Sequence, residues 1–364
     1  MLYRKEIDGL RALAVIPVIL FHAGFEFFGG GFVGVDIFFV ISGYLITSII
    51  LAELDNGTFT IANFYERRIR RIFPALFFVI IAIIPFAYYW LLPAELASFG
   101  KSIASVSIFA SNFFFWQESD YFASDSEYLP LLHTWSLAVE EQYYLFFPII
   151  MILLWRFGKN ILLTTLIVLA ILSIALSEWA WRYSPDFNFY MLPTRMWELL
   201  AGAFTAFYLI NRAPTGNQIG AILGLLAIFF SLIFYDDGIP IPSLYGLLPI
   251  LGTVFIILFA TEQTLVGKLL SQKLVVVIGL ISYSAYLWHV PIFAFARIAS
   301  LEEPGPWALG TLGIVALLLA WISWRFVEKP FRNKKFFTQK QVLITGMLFS
   351  ILFILVGAQI AGGF

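Results

Sequence analysis

Residues 7–22 read Ile7-Asp8-Gly9-Leu10-Arg11-Ala12-Leu13-Ala14-Val15-Ile16-Pro17-Val18-Ile19-Leu20-Phe21-His22, an apolar run that carries a cation and an imidazole. Because a helix has 3.6 residues per turn, Arg11 and His22 lie on one face, about 16 Å apart along the axis. Ionisable side chains inside a membrane are costly and normally face the protein interior or a water-filled cavity. The segment therefore predicts a membrane helix with a functional face.

The composition indicates a polytopic membrane protein. Of 364 residues, 61% are apolar and 12% are charged, whereas soluble domains carry about 25% charged residues. The absence of cysteine excludes disulfides, thiol catalysis and Cys-ligated metals. With three histidines, we expect no metal site, and nothing in the sequence indicates a nucleic-acid partner.

Apolar segments of about 20 residues predict an all-α transmembrane bundle of about eleven spans. The predicted spans are 8–28, 35–53, 72–92, 135–156, 161–181, 191–211, 217–235, 243–262, 274–298, 306–327 and 341–361. We place one domain boundary near residue 336. It separates a ten-helix domain, 1–336, from an additional C-terminal span, 337–364.

The distribution of charge predicts the orientation. With the N-terminus in the cytoplasm, most of the 22 Lys and Arg residues fall in cytoplasmic segments, and the outer loops are acidic, which is the positive-inside pattern. Residues 98–116 are also apolar, but a span there would invert every later loop. We therefore interpret this segment as re-entrant or interfacial.

Several predicted spans bring ionisable groups to a similar depth in the outer half of the bilayer. His22 and His289 lie about 21 and 22 Å from the inner ends of their spans, and Glu140 and Glu141 lie about 10 Å below the outer surface. Asp36 and Ser42 fall near this level. Buried ionisable groups need partners, so we expect a shared polar cavity.

A different chemistry is predicted at the cytoplasmic side, where four arginines occur within five residues. They are Arg67, Arg68, Arg70 and Arg71. Guanidinium groups bind phosphate oxygens in a fork and keep their charge, so the cluster predicts a polyphosphate site. The alternative is a lipid-headgroup anchor.

Simpler interpretations also exist for the other polar residues. The Arg11 side chain could extend to the cytoplasmic lipid headgroups. Arg195 and Glu198 could form a structural ion pair. His289 alone is also typical of a hydrogen bond between packed helices.

Six motifs in order resemble the integral-membrane acyltransferase family 3. They are Ile7-Asp8-Gly9-Leu10-Arg11 with His22, Gly34-Val-Asp36-Ile-Phe-Phe-Val-Ile-Ser42-Gly43-Tyr44, Arg67-Arg68-Ile-Arg70-Arg71-Ile-Phe-Pro74, His133-Thr-Trp135-Ser-Leu-Ala-Val-Glu140-Glu141, Tyr283-Ser-Ala-Tyr286-Leu-Trp288-His289, and Val327-Glu328-Lys-Pro330-Phe-Arg332. Together they extend from residue 3 to about residue 335.

This resemblance implies transfer of an acyl group, acetyl by family frequency, from cytoplasmic acyl-CoA to a hydroxyl of a cell-surface or lipid-linked glycan such as lipopolysaccharide O-antigen. It implies a bacterial cytoplasmic (inner) membrane protein with no permanently bound cofactor. Many relatives continue into an extracytoplasmic SGNH-type esterase domain, so we expect such a domain or a partner that supplies it.

The residues then receive expected roles. We expect His22 to act as general base or to accept the acyl group, with Glu140 or Glu141 orienting its ring. His289 is a further catalytic candidate, and Arg11 joins Arg67, Arg68, Arg70 and Arg71 in binding the donor. The supporting or substrate-binding candidates are Asp36, Ser42, Tyr44, His133, Trp135 and Tyr286.

Two other classes compete with the enzyme. A secondary transporter of an anionic or glycan substrate would use the same His and Glu residues as a relay. The absence of an inverted sequence repeat argues against it. A nonenzymatic scaffold or sensor does not account for the polar layer.

Overall fold

The computed structural model describes residues 3–118 and 124–363, and every regular element within these ranges is helical. The α-helices are α1 (Lys5–His22), α2 (Gly34–Asp55), α3 (Ile61–Trp90), α4 (Pro93–Ser107), α5 (Ser111–Glu118), α6 (Thr134–Trp155), α7 (Lys159–Tyr183), α8 (Pro185–Tyr190), α9 (Leu192–Leu209), α10 (Gln218–Phe234), α11 (Leu247–Phe259), α12 (Leu265–Leu270), α13 (Lys273–Ala299), α14 (Pro306–Ser323), α15 (Lys329–Arg332) and α16 (Gln339–Gly362). Short 3₁₀ turns cover Glu26–Phe28, Gly31–Val33, Ser124–Tyr128 and Leu244–Gly246, and a π turn, Trp324–Glu328, joins α14 to α15.

The predicted all-α membrane architecture is confirmed. Each of the eleven predicted spans overlaps a helix. In the described ranges, seven helical segments are long and apolar enough to cross a membrane: Gly31–Asp55, Ile61–Trp90, Thr134–Trp155, Lys159–Tyr183, Lys273–Ala299, Pro306–Arg332 and Gln339–Gly362. The count of eleven spans and the cytoplasmic N-terminus stay predictions.

Two predicted boundaries differ from the helices. The arginine cluster was expected in the segment before the third span, but α3 begins at Ile61 and includes it. Thr60 caps this helix, since its side-chain oxygen accepts the backbone N–H of Asn63 at 3.2 Å. The first helix ends at His22, earlier than expected, so His22 occupies its C-terminal turn.

The ambiguous segment 98–116 does not form one long helix. It is divided between α4, of 15 residues, and α5, of 8 residues. The break contains Phe109, whose φ of 54° lies in the left-handed region and is incompatible with a continuing helix. Each piece is too short to cross a bilayer by itself, because a span needs about 20 residues.

The described chain forms two compact units. The first unit comprises the described residues up to Phe21, Phe25–Phe59 and Glu140–Leu280. Its helices α2 and α9 cross with their backbones in contact. A Cβ on Gly43 would lie 1.8 Å from the Leu199 carbonyl oxygen, and one on Gly202 would lie 1.9 Å from that of Val40. Only glycine permits this approach, as is common between membrane helices.

The second unit comprises the described residues of His22–Gly24, Thr60–Val139 and Ile281–Phe364. Here α16 packs closely on α4, and a Cβ on Gly357 would lie 2.5 Å from the Gly100 carbonyl oxygen. The boundary predicted near residue 336 falls in the exposed segment between α15 and α16, and it stays a prediction.

Candidate active site

A cluster of three histidines lies in the second unit, and we call it the histidine cluster: His22, His133 and His289. His22 ends α1, His289 lies within α13, and His133 directly precedes α6. The Nδ1 atom of His22 lies 3.3 Å from Nε2 of His289, and the ring centroids of His133 and His289 are 5.6 Å apart. His133 and His289 are buried, whereas His22 is half-buried.

Hydrogen-bond partners determine which ring nitrogens of His22 and His289 carry protons. The Nδ1 atom of His289 lies 2.7 Å from the carbonyl oxygen of Tyr286 and 3.3 Å from that of Ala285. A carbonyl only accepts hydrogen bonds, so this Nδ1 is the donor and, in the neutral ring, Nε2 holds the lone pair. His22 then donates through its Nδ1–H, which leaves the lone pair of its own neutral ring on Nε2.

Tyr286, on α13, contacts both His133 and His289. Its hydroxyl lies 2.7 Å from Ser136 Oγ and donates to the carbonyl oxygen of His133 at 3.1 Å. Its ring centroid lies 5.3 Å from that of His133 and 5.4 Å from that of His289. His133, Tyr286 and His289 therefore lie close together, and the nearby Trp135 is fully buried.

Arg297 holds the end of α1 and was missed by the sequence reasoning. Its Nη2 donates to the carbonyl oxygen of His22 at 3.0 Å, and its Nε lies 2.9 Å from a carboxylate oxygen of Glu127. The last carbonyls of a helix need such donors and favour a cation. The available signal in the sequence was an arginine at the predicted outer end of a span, where the positive-inside pattern predicts few basic residues.

Glu328 lies in the last of the six motifs, and the sequence predicted no role for it. It is fully buried in the second unit, where it accepts from Ser284 Oγ at 2.5 Å and from Arg332 Nη2 at 2.5 Å. Nearby, Trp288 donates its ring N–H to Ser323 Oγ at 2.8 Å. These bonds join α13 to the end of α14 and its π turn, and thereby fix the helix that carries His289.

The arginine motif of α3 divides into different environments. Arg70 is buried; it pairs with Glu66 at 2.8 Å and donates to the carbonyl oxygens of Phe331 at 3.0 Å and Phe337 at 2.5 Å. Its donors are therefore used within the fold. Arg68 is also buried, beside the Phe64 ring, whereas Arg67 and Arg71 are half-buried.

The first unit contains a buried ion cluster, which we call the Arg195 cluster: Asp36, Arg195 and Glu198. One guanidinium nitrogen of Arg195 lies 2.8 Å from Asp36 Oδ1 and 3.4 Å from Glu198 Oε1. Its Nε donates to the carbonyl oxygen of Phe189 at 2.7 Å. All three side chains are at most 2% exposed, so Asp36 belongs to an ion network that connects α2 to α9.

The remaining predicted residues of the first unit lie in other local contacts. Glu140 accepts hydrogen bonds from Ser42 and Tyr144, and Glu141 is half-buried. Tyr44 accepts from Arg4 at 3.1 Å. Arg11 lies 3.6 Å from Asp8, one turn away on α1. None of these contacts tests the expected roles in catalysis or donor binding.

Comparison with known proteins relates the chain to acyltransferases. A family model described as an acyltransferase domain matches residues 4–325. The O-acetyltransferase OatA of Staphylococcus aureus is 34% identical over 352 residues, which cover 92% of this chain and 58% of that protein. The peptidoglycan O-acetyltransferase OatA of Listeria monocytogenes is 34% identical over 355 residues, with 92% and 56% covered.

The chain thus spans little more than half the length of these curated relatives. No solved structure gives a significant match. The family match extends over most of the chain and includes His22, His133 and His289. The protein belongs to the acyltransferase 3 family.

Proposed function

We propose that this protein transfers an acetyl group from cytoplasmic acetyl-CoA to a hydroxyl of a cell-surface glycan at a bacterial cytoplasmic membrane. The family and the O-acetyltransferase relatives support the reaction class. The name of the Listeria relative favours peptidoglycan over lipopolysaccharide O-antigen as the acceptor. An SGNH-type esterase domain or partner on the outer side remains part of the proposal.

The contact between His22 and His289 is the observation that supports the mechanism most. Nε2 of His22 accepts the proton of the acceptor hydroxyl while the hydroxyl oxygen attacks the thioester carbonyl. The C–S bond breaks, and the imidazolium returns the proton to the departing CoA thiolate. His289 Nε2 accepts the Nδ1–H of His22 throughout, so it fixes the tautomer as the carboxylate does in a hydrolase triad.

This assignment changes the expected partner of His22. A glutamate was predicted to orient the imidazole, but the contact in the second unit is made by a second imidazole, itself anchored on a backbone carbonyl. The same lone pair on Nε2 would also attack the thioester directly to form an acyl-imidazole. The His22 tautomer with its lone pair on Nε2 is therefore suited both to general-base catalysis and to formation of an acyl-imidazole.

Donor binding is assigned to the arginines of α3 that keep some exposure. Arg67 and Arg71 are half-buried, and Arg71 lies near enough to Arg332 for their charges to repel. An anion relieves such repulsion, and guanidinium groups bind phosphate well. Arg70 is expected to act through the fold, because its donors are already bonded.

One experiment separates an acyltransferase from a transporter. Membrane vesicles containing the protein receive radiolabelled acetyl-CoA on the cytoplasmic side and peptidoglycan fragments on the other. We expect label in the glycan, lost with His22→Ala while binding of acetyl-CoA persists. Anion flux without transfer would support the transporter, and loss of donor binding in His22→Ala would contradict the role of His22.

A paired substitution tests the donor site. Arg71→Gln is expected to raise the KM for acetyl-CoA about tenfold or more, since a charge-assisted hydrogen bond contributes roughly 1.5–3 kcal/mol. Arg70→Gln is expected to lower the thermal stability instead, because it leaves Glu66 and two carbonyl oxygens without their donor. Equal KM values for wild type and Arg71→Gln would remove Arg71 from the site.

A further inference from the structure

A groove in the second unit lies outside the histidine cluster. It is a cavity of about 250 Å³ between α3, the π turn with α15, and the first turns of α16. Its walls are almost entirely apolar and include Phe73, Phe77 and Phe349. Half of the lining residues lie beyond residue 325, where the acyltransferase match ends.

The dimensions suit a lipid chain. On α3 the lining extends from Ile69 to Ile81, which is about 18 Å at 1.5 Å per residue. One leaflet of hydrocarbon is about 15 Å deep. The far end is accessible from the surface, because Ile81 is 53% exposed, so a chain enters from the surrounding bilayer.

The inner end of the groove is held in a fixed shape. The rings of Phe331 and Phe337 stack at 5.2 Å with an interplanar angle of 15°. The buried guanidinium of Arg70 bonds the carbonyl oxygens of both residues. Since these contacts exist within the protein, a chain meets a preformed apolar floor and loses little free energy to reorganisation.

A basic rim follows this floor at the predicted cytoplasmic surface. Segment 329–340 contains Lys329, Arg332, Lys334, Lys335 and Lys340, and the sequence has no acidic residue after Glu328. Lys334 and Lys335 are exposed and directly precede the Phe336–Phe337 pair. An apolar groove beneath a rim of cationic side chains, of which Arg332 is paired with Glu328, matches the two parts of an anionic lipid.

We propose that this groove binds one anionic phospholipid of the cytoplasmic leaflet. An acyl chain lies against α3 and α16, and the phosphate lies at Lys334 and Lys335. The groove is therefore a lipid site to which the part of the chain beyond the matched domain contributes half of the lining residues. Because it concerns lipid binding, it does not depend on the proposed acetyl transfer.

The test measures lipid retained by the protein. The full chain is reconstituted in nanodiscs with equal phosphatidylglycerol and phosphatidylcholine, extracted in mild detergent and analysed by native mass spectrometry. We expect one retained lipid, mainly phosphatidylglycerol. K334Q/K335Q should lower the preference for phosphatidylglycerol, by about fivefold for each lysine, whereas K268Q/K273Q, two exposed lysines of the first unit, should not.

A second pair of variants tests the groove itself. Thr345 lines the cavity and Leu348 does not, although both are exposed on α16. Thr345→Phe should fill the groove and remove the retained lipid, while Leu348→Phe should leave it in place; Ile81→Trp tests the opposite wall if Thr345→Phe does not fold. The proposal is overturned if K334Q/K335Q and K268Q/K273Q show the same preference for phosphatidylglycerol. It is also overturned if Thr345→Phe and Leu348→Phe retain equal amounts of lipid. A third contradicting result is that long-chain acyl-CoA displaces the retained lipid whereas added phosphatidylglycerol does not.

Discussion

The histidine cluster and the Arg195 cluster are both buried and polar, but they are built in opposite ways. In the Arg195 cluster a cation meets two carboxylates, and all three side chains are at most 2% exposed. In the histidine cluster two imidazoles form a hydrogen-bonded chain that ends on a backbone carbonyl, and His22 stays half-buried. The oppositely charged side chains of the Arg195 cluster hold helices in place. An imidazole with a defined tautomer, as in the histidine cluster, is able to exchange a proton.

The strongest test of this contrast removes the cation of the Arg195 cluster. Arg195→Met is expected to destabilise the protein by about 3–5 kcal/mol, because breaking a buried pair leaves uncompensated charge. Thermal unfolding in detergent measures it. Arg182→Met, which removes an exposed arginine from its ion pair with the half-buried Glu178, should cost no more than about 1 kcal/mol. Similar unfolding temperatures for both variants would show that the Arg195 cluster is dispensable for the fold.

The second test removes the base of the histidine cluster. His22→Ala is expected to lower the rate of acetyl transfer by about 10²–10⁴-fold, the usual contribution of general acid–base catalysis, with little change in unfolding temperature. Initial rates with radiolabelled acetyl-CoA and an unfolding scan measure both quantities. A large loss of stability with a modest loss of rate would make this cluster structural as well.

The third test concerns His289, whose Nε2 accepts the hydrogen bond from His22. His289→Phe keeps a ring but removes the acceptor, and kcat should fall about 10- to 100-fold, because a hydrogen bond to an imidazolium is worth roughly 1.5–3 kcal/mol. The KM for acetyl-CoA should stay constant. His289→Gln restores an acceptor oxygen and should recover part of kcat. Equal kcat values for the Phe and Gln variants would argue that only packing matters at this position.

The smallest effect is expected at Tyr286. Tyr286→Phe removes the hydroxyl that contacts Ser136 and His133, which should cost about 1 kcal/mol of stability and lower the transfer rate only a few-fold. Tyr89→Phe, at an 82% exposed side chain, is the control. If Tyr286→Phe abolished transfer, the hydroxyl would have to act on the substrate directly.

Much of the fold follows from the sequence because lipid imposes a strict local rule. A spanning segment must be apolar and must satisfy its own backbone hydrogen bonds, so all eleven predicted segments overlap helices. The errors occur at polar boundaries. The arginine motif extends α3 at its N-terminal end, because helix formation does not stop where hydrophobicity does.

The hydrogen-bond partners of the candidate site residues were harder to predict from the sequence than the helices. His22 and His289 are 267 positions apart, and nothing local in either segment indicates that they meet. The prediction that a glutamate orients His22 rests on the similar depth of these residues, which leaves the rotation of each helix undefined, and it stays a prediction. Arg70 and Arg71 are adjacent, yet only Arg70 turns inward to bond Glu66 and the 331–337 turn.

The amino-acid sequence by itself determined that the chain is a helical membrane protein, which segments are helices, and which rare polar residues they carry. Tertiary packing alone decided that His289 is the neighbour of His22, that Arg195 closes an ion cluster, and that α3 and α16 leave a groove between them. The physical reason is that transfer into lipid is a property of each segment, whereas a hydrogen bond depends on how helices distant in sequence are rotated against one another.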